Sequence, residues 1–466
     1  MQKILRRLVG SRAFYSMVLA ILIPIIIQDS ISNFVNLLDN LMVGRIGTDQ
    51  MSGVSVANQL VFVYNLGIFG ACAGAGIFSA QFHGAGDSEG VRMAFRYKLY
   101  VTTLISIIAI ALFYTCGERL ISLFLNEEGD PARVQNTLEY GIAYLRIIAV
   151  GLIPFGLTQC YASTLRETGE TRMPMIASIS AVSVNLLFNY LLIFGKLGFP
   201  VLGVAGAAYA TVLSRFVELA IITVYTHTHG KKHPFAEGLY ASMRIPSALV
   251  RKITIREIPL LANEVLWAVG MTTLTQIYSL RGLDVIAALN ISSTVTNLFS
   301  VAYLSMGNAV GIIVGQALGA NEIERAKDYV VKLIAFSVAI SIVIALVLIG
   351  LSNLFPMLYN TTESVRNLAA RIIRISCCMW PVYAVMHCSY FTLRSGGKTL
   401  ITFLFDSGCV WAITVPIAYA MAHFTNMDTV GIYWCVQFAD ICKMVFGVYL
   451  LKKGVWIHNI VSDTAK

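Results

Sequence analysis

Long apolar runs alternate with short polar breaks along almost the whole chain. A helical membrane span needs about 20 mainly apolar residues. Twelve segments meet that need: 15–40, 52–78, 93–116, 137–163, 172–195 and 201–226, then 252–278, 286–314, 329–351, 366–392, 398–421 and 429–451. Strands of a membrane barrel would alternate apolar and polar residues over about ten positions. These runs do not alternate, so the pattern predicts helices.

The pattern is also stated twice. Pro24 and Asp29 are matched, one repeat length further on, by Pro259 and Glu264. Gly76, Gln81, Gly84, Glu89 and Arg92 are matched at the same offset by Gly311, Gln316, Gly319, Glu324 and Lys327. Leu165, Arg166, Gly169 and Thr171 are matched at a slightly shorter offset by Leu393, Arg394, Gly397 and Thr399. A repeat of this length in an apolar chain points to a secondary transporter built from two related lobes. The expected organisation is an N-terminal six-helix lobe over 1–226, a flexible cytoplasmic linker over 227–250 and a C-terminal six-helix lobe over 251–466.

Composition narrows the class. The chain is 57% hydrophobic and 13% charged, against roughly 25% charged in soluble domains. It reads as an all-α polytopic membrane protein. The opening segment, basic at Lys3, Arg6, Arg7 and Arg12, reads as a cytoplasmic tail before the first span rather than a cleaved signal. The nine cysteines have no zinc or redox spacing and read as unpaired thiols. The net charge of +9 suits loops facing an anionic leaflet; no basic, aromatic-rich patch outside the spans suggests nucleic acid.

Lysine and arginine are distributed asymmetrically. Arg92, Arg96, Lys98, Arg166, Arg172, Lys231, Lys232, Arg244, Arg251, Lys252, Arg325, Arg394 and Lys452 fall on the side of the N-terminus. Arg45, Arg119, Arg133, Lys196, Arg281 and Arg366 fall on the other. The excess puts both termini in the cytoplasm. Six spans precede the linker, so the two halves share one orientation, as in parallel repeats. Histidines 227, 229 and 233 in the linker lack acidic or cysteine partners nearby, which favours a linker over a metal site.

An ionisable residue inside a span is costly unless it lines a cavity or finds a partner, and is a functional candidate by default. Asp39, near the extracellular end of the first span, can join Asn185 and Asn189, one turn apart on the fifth, and Thr211 on the sixth. Such an oxygen-rich cage would suit Na⁺, or a carboxyl that exchanges a proton; the alternative role for the asparagines is simply to join helices. Asp29 and Glu264 each follow an Ile-Pro pair by five residues. A proline bends a helix and frees a carbonyl, which suits a cavity that attracts cations. Asp406 has no partner along its own helix and is a further substrate-cavity or proton-coupling candidate. Arg215 with Glu218, and Asp440 with Lys443, have the spacing of pairs along a helix. Arg371 and Arg374 are expected to reach an interface.

Glycines 70, 74 and 76, and 307, 311 and 315, suit close helix contact. The run Gly84-Ala85-Gly86-Asp87 lacks the lysine and hydroxyl residue of a phosphate loop, and no nucleophile, base and orienting group come together. ATP-driven pumping and enzyme catalysis are both disfavoured, and no cofactor is expected.

With these residues in view, the chain resembles the multidrug and toxic compound extrusion (MATE) transporters over essentially its whole length. The resemblance rests on Asp39-Asn40-Leu41-Met42-Val43-Gly44, on Gln81-Phe82-His83-Gly84-Ala85-Gly86, and on Leu165-Arg166-Glu167-Thr168-Gly169-Glu170-Thr171. It continues through 185–195 and 203–211, then Gly315-Gln316-Ala317-Leu318-Gly319-Ala320 and Leu393-Arg394-Ser395-Gly396-Gly397. It implies two pseudo-symmetric six-helix bundles facing a V-shaped cavity. It implies alternating access, with export of organic cations or drugs in exchange for Na⁺ or H⁺. It would place the family's cation site on Asp39, Asn185, Asn189 and Thr211, and its seventh-helix acid on Glu264. Two departures stand out: Asn189 where many members have aspartate, and no aspartate near Thr399. Asp406 is not at the matching place.

The resulting expectation is a monomeric antiporter in a bacterial plasma membrane, in contact with lipid and with no nucleic-acid or nucleotide partner. The alternative is a flippase for a lipid-linked precursor, which would use basic residues such as Arg215, Arg371 and Arg374 to hold a pyrophosphate.

Overall fold

A computed structural model describes residues 8–125 and 130–462, mainly helical, with short connections and one longer segment over 229–246. The principal helices are α1 (Arg12–Gly44), α2 (Thr48–Gly84), α3 (Ser88–Ser122), α4 (Pro131–Val150), α5 (Leu152–Glu167), α6 (Arg172–Phe194) and α7 (Gly203–Thr228). The second half contributes α8 (Ser247–Ser279), α9 (Leu283–Gly319), α10 (Ile323–Leu351), α11 (Glu363–Ser395), α12 (Thr399–Phe424) and α13 (Thr429–Lys452). Eleven are long and apolar enough to cross a membrane; α4 and α5 together form a twelfth crossing, bent by 47°. The bend falls at Gly151, just before Pro154, whose missing N–H and bulky ring break the helical ladder. Each of the twelve expected spans is therefore present, the fourth as a broken helix.

In a membrane, helices satisfy every backbone polar group internally, so faces that meet lipid need no polar residues. Leu104, Ile107, Ile108 and Leu112 on α3, and Val343, Leu346 and Val347 on α10, are exposed. Caps mark several boundaries: Asp87 accepts from the Gly90 N–H at the start of α3, and Asp428 from the Gly431 N–H at the start of α13.

Two compact units emerge, Ile27–Ser79 with Asp87–Arg251, and Met1–Ile26 with Ala80–Gly86 and Lys252–Lys466. Helix α1 changes unit shortly beyond Pro24. In the second unit, Phe14, Val18, Leu22 and Ile25 of α1 pack with Val310, Val314 and Leu318 of α9, Leu333 of α10 and Leu393 of α11.

The repeat is visible in backbone detail. Gly86 and Asn321, at matching repeat positions, both take left-handed dihedrals (φ 75° and 59°) at the turns after α2 and α9, a conformation open to glycine and tolerated by asparagine. Within the second unit, Gly84 abuts the Gln316 carbonyl and Gly319 abuts the Gln81 carbonyl, a reciprocal crossing in which any Cβ would overlap backbone oxygen. Gln81 is fully buried and locks this crossing. Its amide donates to the Ser395 and His458 carbonyls, and its oxygen accepts from the Ile460 N–H. Gly84→Ala and Gly319→Ala are each expected to destabilise by about 1–3 kcal/mol, as overpacking does. Gly350→Ala, with open space around it, should leave the melting temperature of the purified protein unchanged. Equal melting temperatures for all three variants would contradict this account of the crossing.

The segment expected to be a flexible linker is anchored instead. Phe235 and Leu239 are buried. Arg92 donates to the Phe235 and Pro234 carbonyls, and Arg96 to those of Leu239, Gly238 and Arg244. Arginine forks satisfy carbonyls that a free loop would leave to water. Lys232 also pairs with Glu170. Burial raises the Glu170 carboxyl, but the Lys232 ammonium and backbone N–H groups outweigh it, so its pKa is lowered; that of Lys232 is raised, chiefly by its hydrogen bond to Glu170. The glutamate contribution is present above the ordinary carboxyl range and lost as pH falls through its depressed value. The lysine contribution is present below the ordinary lysine range and lost as pH rises through its raised value. Near pH 7 both are in place. Hydrogen exchange at pH 7 should therefore be faster over 229–241 in Lys232→Ala than in wild type; equal rates would show that the pair does not hold the segment.

Candidate functional site

In the first unit, α6 and α7 form an antiparallel pair joined through Gly195, whose φ of 64° closes the end of α6. A Cβ on Gly206 would lie 2.6 Å from the Leu192 carbonyl oxygen. Small residues here let α7 approach α6 closely, which brings Thr211 to Asn185. Asn189, one turn further along α6, reaches Asp39 on α1.

Asn189 Nδ2 is 2.6 Å from Asp39 Oδ1, and Asn185 and Thr211 are 3.3 Å apart. Both asparagines are buried. The Asn185 amide nitrogen donates to Asp39, 3.0 and 3.2 Å from its two oxygens, and the amide oxygen accepts from Thr211 Oγ1. Asn189 Oδ1 is buried without a hydrogen-bond partner. Among the described residues, no lysine, arginine or histidine lies within ion-pair distance of Asp39. The four residues grouped from sequence thus form one chain of contacts, from Asp39 to the two amides and from Asn185 to Thr211.

Asp29 on α1 and Glu264 on α8 are both half-buried, each just over one turn past its helix proline. They belong to different units. Arg394 and Asp406 are the charged neighbours that act on Glu264.

Asp406, which has no partner along its own helix, finds one across a helix interface. Lys443 Nζ on α13 lies 2.5 Å from Asp406 Oδ1, and Asn263 Nδ2 on α8 donates to Asp406 Oδ2 at 3.0 Å. Asn263 is held in turn by Ser407, whose N–H and hydroxyl both donate to its side-chain oxygen. Lys443 is therefore not paired with Asp440 along α13, as its spacing suggests. The segments Leu404–Gly408 and Val410–Thr414 of α12 are π-helical, a widening common at functional sites that a regular helical reading does not anticipate. Glu218 does not pair with Arg215 at ion-pair distance either: the guanidinium lies over the Phe155 ring, 5.1 Å from its centroid. Arg374 donates to the Ser352 hydroxyl and the Asn353 side-chain oxygen beyond the end of α10.

One buried pair escaped the sequence reading. Lys98, grouped with the cytoplasmic charges, is fully buried on α3 and lies 2.5 Å from Glu167 on α5, with Ser163 and Thr164 hydroxyls at 3.0 Å. Its partner is far along the chain, so no local spacing announces it.

These features define a multi-pass integral membrane protein of the transporter class, with buried charge on several spans and a doubled architecture. The MatE family model matches residues 24–191 and again 259–420, one match in each half, starting at the two repeat-related prolines. The chain belongs to this family and is a secondary active efflux transporter rather than an enzyme. It is 24% identical over 433 residues to "Probable multidrug resistance protein YoeA" of Bacillus subtilis (strain 168), with 92% of each chain covered. It is 26% identical over 430 residues to "Probable multidrug resistance protein NorM" of Thermotoga maritima, with 91% of this chain and 89% of the relative covered. Among solved structures, it matches an outward-facing conformation of a multidrug resistance MATE family transporter with a TM-score of 0.84, 18% identity and 97% of both chains covered. A MOP superfamily transporter from Pyrococcus furiosus, described as having a binding pocket of reverse polarity, gives a TM-score of 0.82, 18% identity and 97% coverage of both chains. Members of the family use H⁺ or Na⁺ gradients and carry small organic cations or drugs.

Proposed function

We propose that this chain exports organic cations by antiport and that Asp39 is its coupling acid, with Asn185, Asn189 and Thr211 as the surrounding ligands. The observation that carries this reading is the carboxylate itself, partly buried, with the Asn189 and Asn185 amides against it and, among the described residues, no lysine or arginine at ion-pair distance. A charge so placed is costly unless it takes up a cation or a proton. Hard oxygen donors suit Na⁺.

Coupling needs only that ion and substrate prefer different states of the transporter. In the outward-facing state Asp39 loads from outside and substrate leaves. In the inward-facing state the ion is released and a cationic substrate is attracted by Glu264 or Asp29. Sodium and proton coupling differ in whether Asp39 ligates an ion or is itself protonated. The lysine and arginine bias favours cytoplasmic termini, and the bacterial relatives favour a bacterial plasma membrane.

The test is efflux of a fluorescent organic cation from proteoliposomes, with a Na⁺ gradient and a pH gradient imposed separately. Flux driven by one of them supports the reading and identifies the ion. Flux under neither overturns it and brings forward the lipid-precursor alternative.

A further inference from the structure

Each half of the chain places a cationic residue on its last helix at the same repeat position, half-buried in the first half and buried in the second. Arg215 on α7 and Lys443 on α13 are related by the offset that also relates Gly203 to Gly431 near the starts of those helices. Their surroundings differ. The first-half residue at the repeat position of Asp406 is Ser178, so only the second half supplies a carboxylate there. Arg215 lies over Phe155, whereas Lys443 meets Asp406.

The two carboxylates can then be compared. Asp39 has amides against it and no ammonium. Asp406 has the Asn263 amide on one oxygen and the Lys443 ammonium on the other. Both oxygens are taken, and the Lys443 side chain is only 8% exposed. The Phe405 ring lies 5.5 Å from Lys443 Nζ and fixes the lysine from one side. Asn263 is immobilised by Ser407 and also lies 3.4 Å from the Tyr390 hydroxyl. His387 on α11, Glu264 on α8, Asp440 on α13, Tyr390 and Cys409 are further ionisable groups acting here. The arrangement is a carboxylate-and-amide cation site with its cation covalently tethered.

We propose that the Asp406–Lys443 pair is a cation site occupied from within: Lys443 holds the place of a mobile ion, so only the Asp39 site exchanges ions during transport. This rests on the reading of Asp39 as the coupling acid. A lysine cannot leave, so the Asp406 site keeps its charge balance in every state. One ion per cycle then follows, and that ion is handled by the N-terminal half.

Lys443→Met shortens the side chain, removes its charge and leaves room for a small cation beside Asp406. The experiment is radioactive ²²Na⁺ binding to purified protein in detergent at pH 8.5, with gel filtration as the check on folding. Lys443→Met, and independently Lys443→Gln, should bind one more Na⁺ per chain than wild type. Adding Asp406→Asn to either should remove the increment, and Lys443→Arg should bind as wild type does. The same increment should appear in an Asp39→Asn background, where the wild-type site is already lost. A purely structural ion pair would leave Na⁺ stoichiometry unmoved, and folded Lys443→Met and Lys443→Gln proteins that bind no extra ion would overturn the proposal. If Asp39→Asn alone changes neither Na⁺ binding nor coupling while the increment persists, the Asp39 reading fails and the Asp406–Lys443 assignment survives.

Discussion

Asp39→Asn is expected to reduce gradient-driven export by at least about 100-fold while the protein still folds and still binds an organic cation. The substitution keeps the shape of the side chain and removes its charge. A unit charge about 4 Å from a cation is worth on the order of 4 kcal/mol at the effective dielectric of a partly buried site, or about a thousandfold in ion affinity. Asn185, Asn189 and Thr211 cannot replace that charge, because amides and hydroxyls supply only dipoles. If the coupling ion is a proton, the loss is complete, since an amide does not titrate in the working range. Substrate affinity should change far less, because on this account Glu264 and Asp29 attract the substrate. The check is equilibrium binding of a fluorescent cation beside ion-driven flux: loss of flux with retained binding is expected, and loss of both would place Asp39 in the substrate site instead.

Lys98→Met should be among the most damaging substitutions for stability. Lys98 is fully buried and Glu167 nearly so. Removing one member of such a pair strands the other charge and costs about 3–5 kcal/mol. The Glu167 carboxylate also crowds Gly76, where any Cβ would overlap Glu167 Oε1, so the acid has little room to turn toward water. Adding Glu167→Gln to Lys98→Met should recover most of the loss, since two neutral side chains of similar size leave no stranded charge. Thermal unfolding of the two single variants and the double variant measures the coupling. Additive losses would show that the pair is not an energetic unit.

What the chain reveals before folding is set by the range over which its signals act. A membrane span is a local property of one apolar stretch, so all twelve crossings are legible, whereas the break in the fourth at Gly151 does not interrupt the apolar run and is not. The doubling is legible because prolines and glycines repeat at fixed offsets, and the turns at Gly86 and Asn321 carry it into the backbone. Asp39, Asn185, Asn189 and Thr211 are recognisable singly as polar groups in apolar runs, and they come together in space; their role there is the proposal to be tested. Pairs made across helices are a different matter. Spacing along one helix suggests Asp440 for Lys443 and Glu218 for Arg215, but helix packing presents Lys443 to Asp406 and Arg215 to Phe155. The π-helical turns of α12 add to this, since they rotate side chains away from a regular register. The anchoring of 227–250 is hidden for a similar reason: its partners, Arg92 and Arg96, are distant in the chain and bind carbonyls, which every sequence has.

The most direct test of the central claim is a paired measurement on wild type and Asp39→Asn reconstituted in the same way. Gradient-driven efflux of an organic cation would be recorded beside equilibrium binding of that cation in the absence of any ion gradient. The account predicts that the variant loses the driven efflux and keeps substrate binding, whichever of Na⁺ or H⁺ drives the wild type. Full gradient-driven efflux in folded Asp39→Asn protein would contradict it and move the coupling site away from α1.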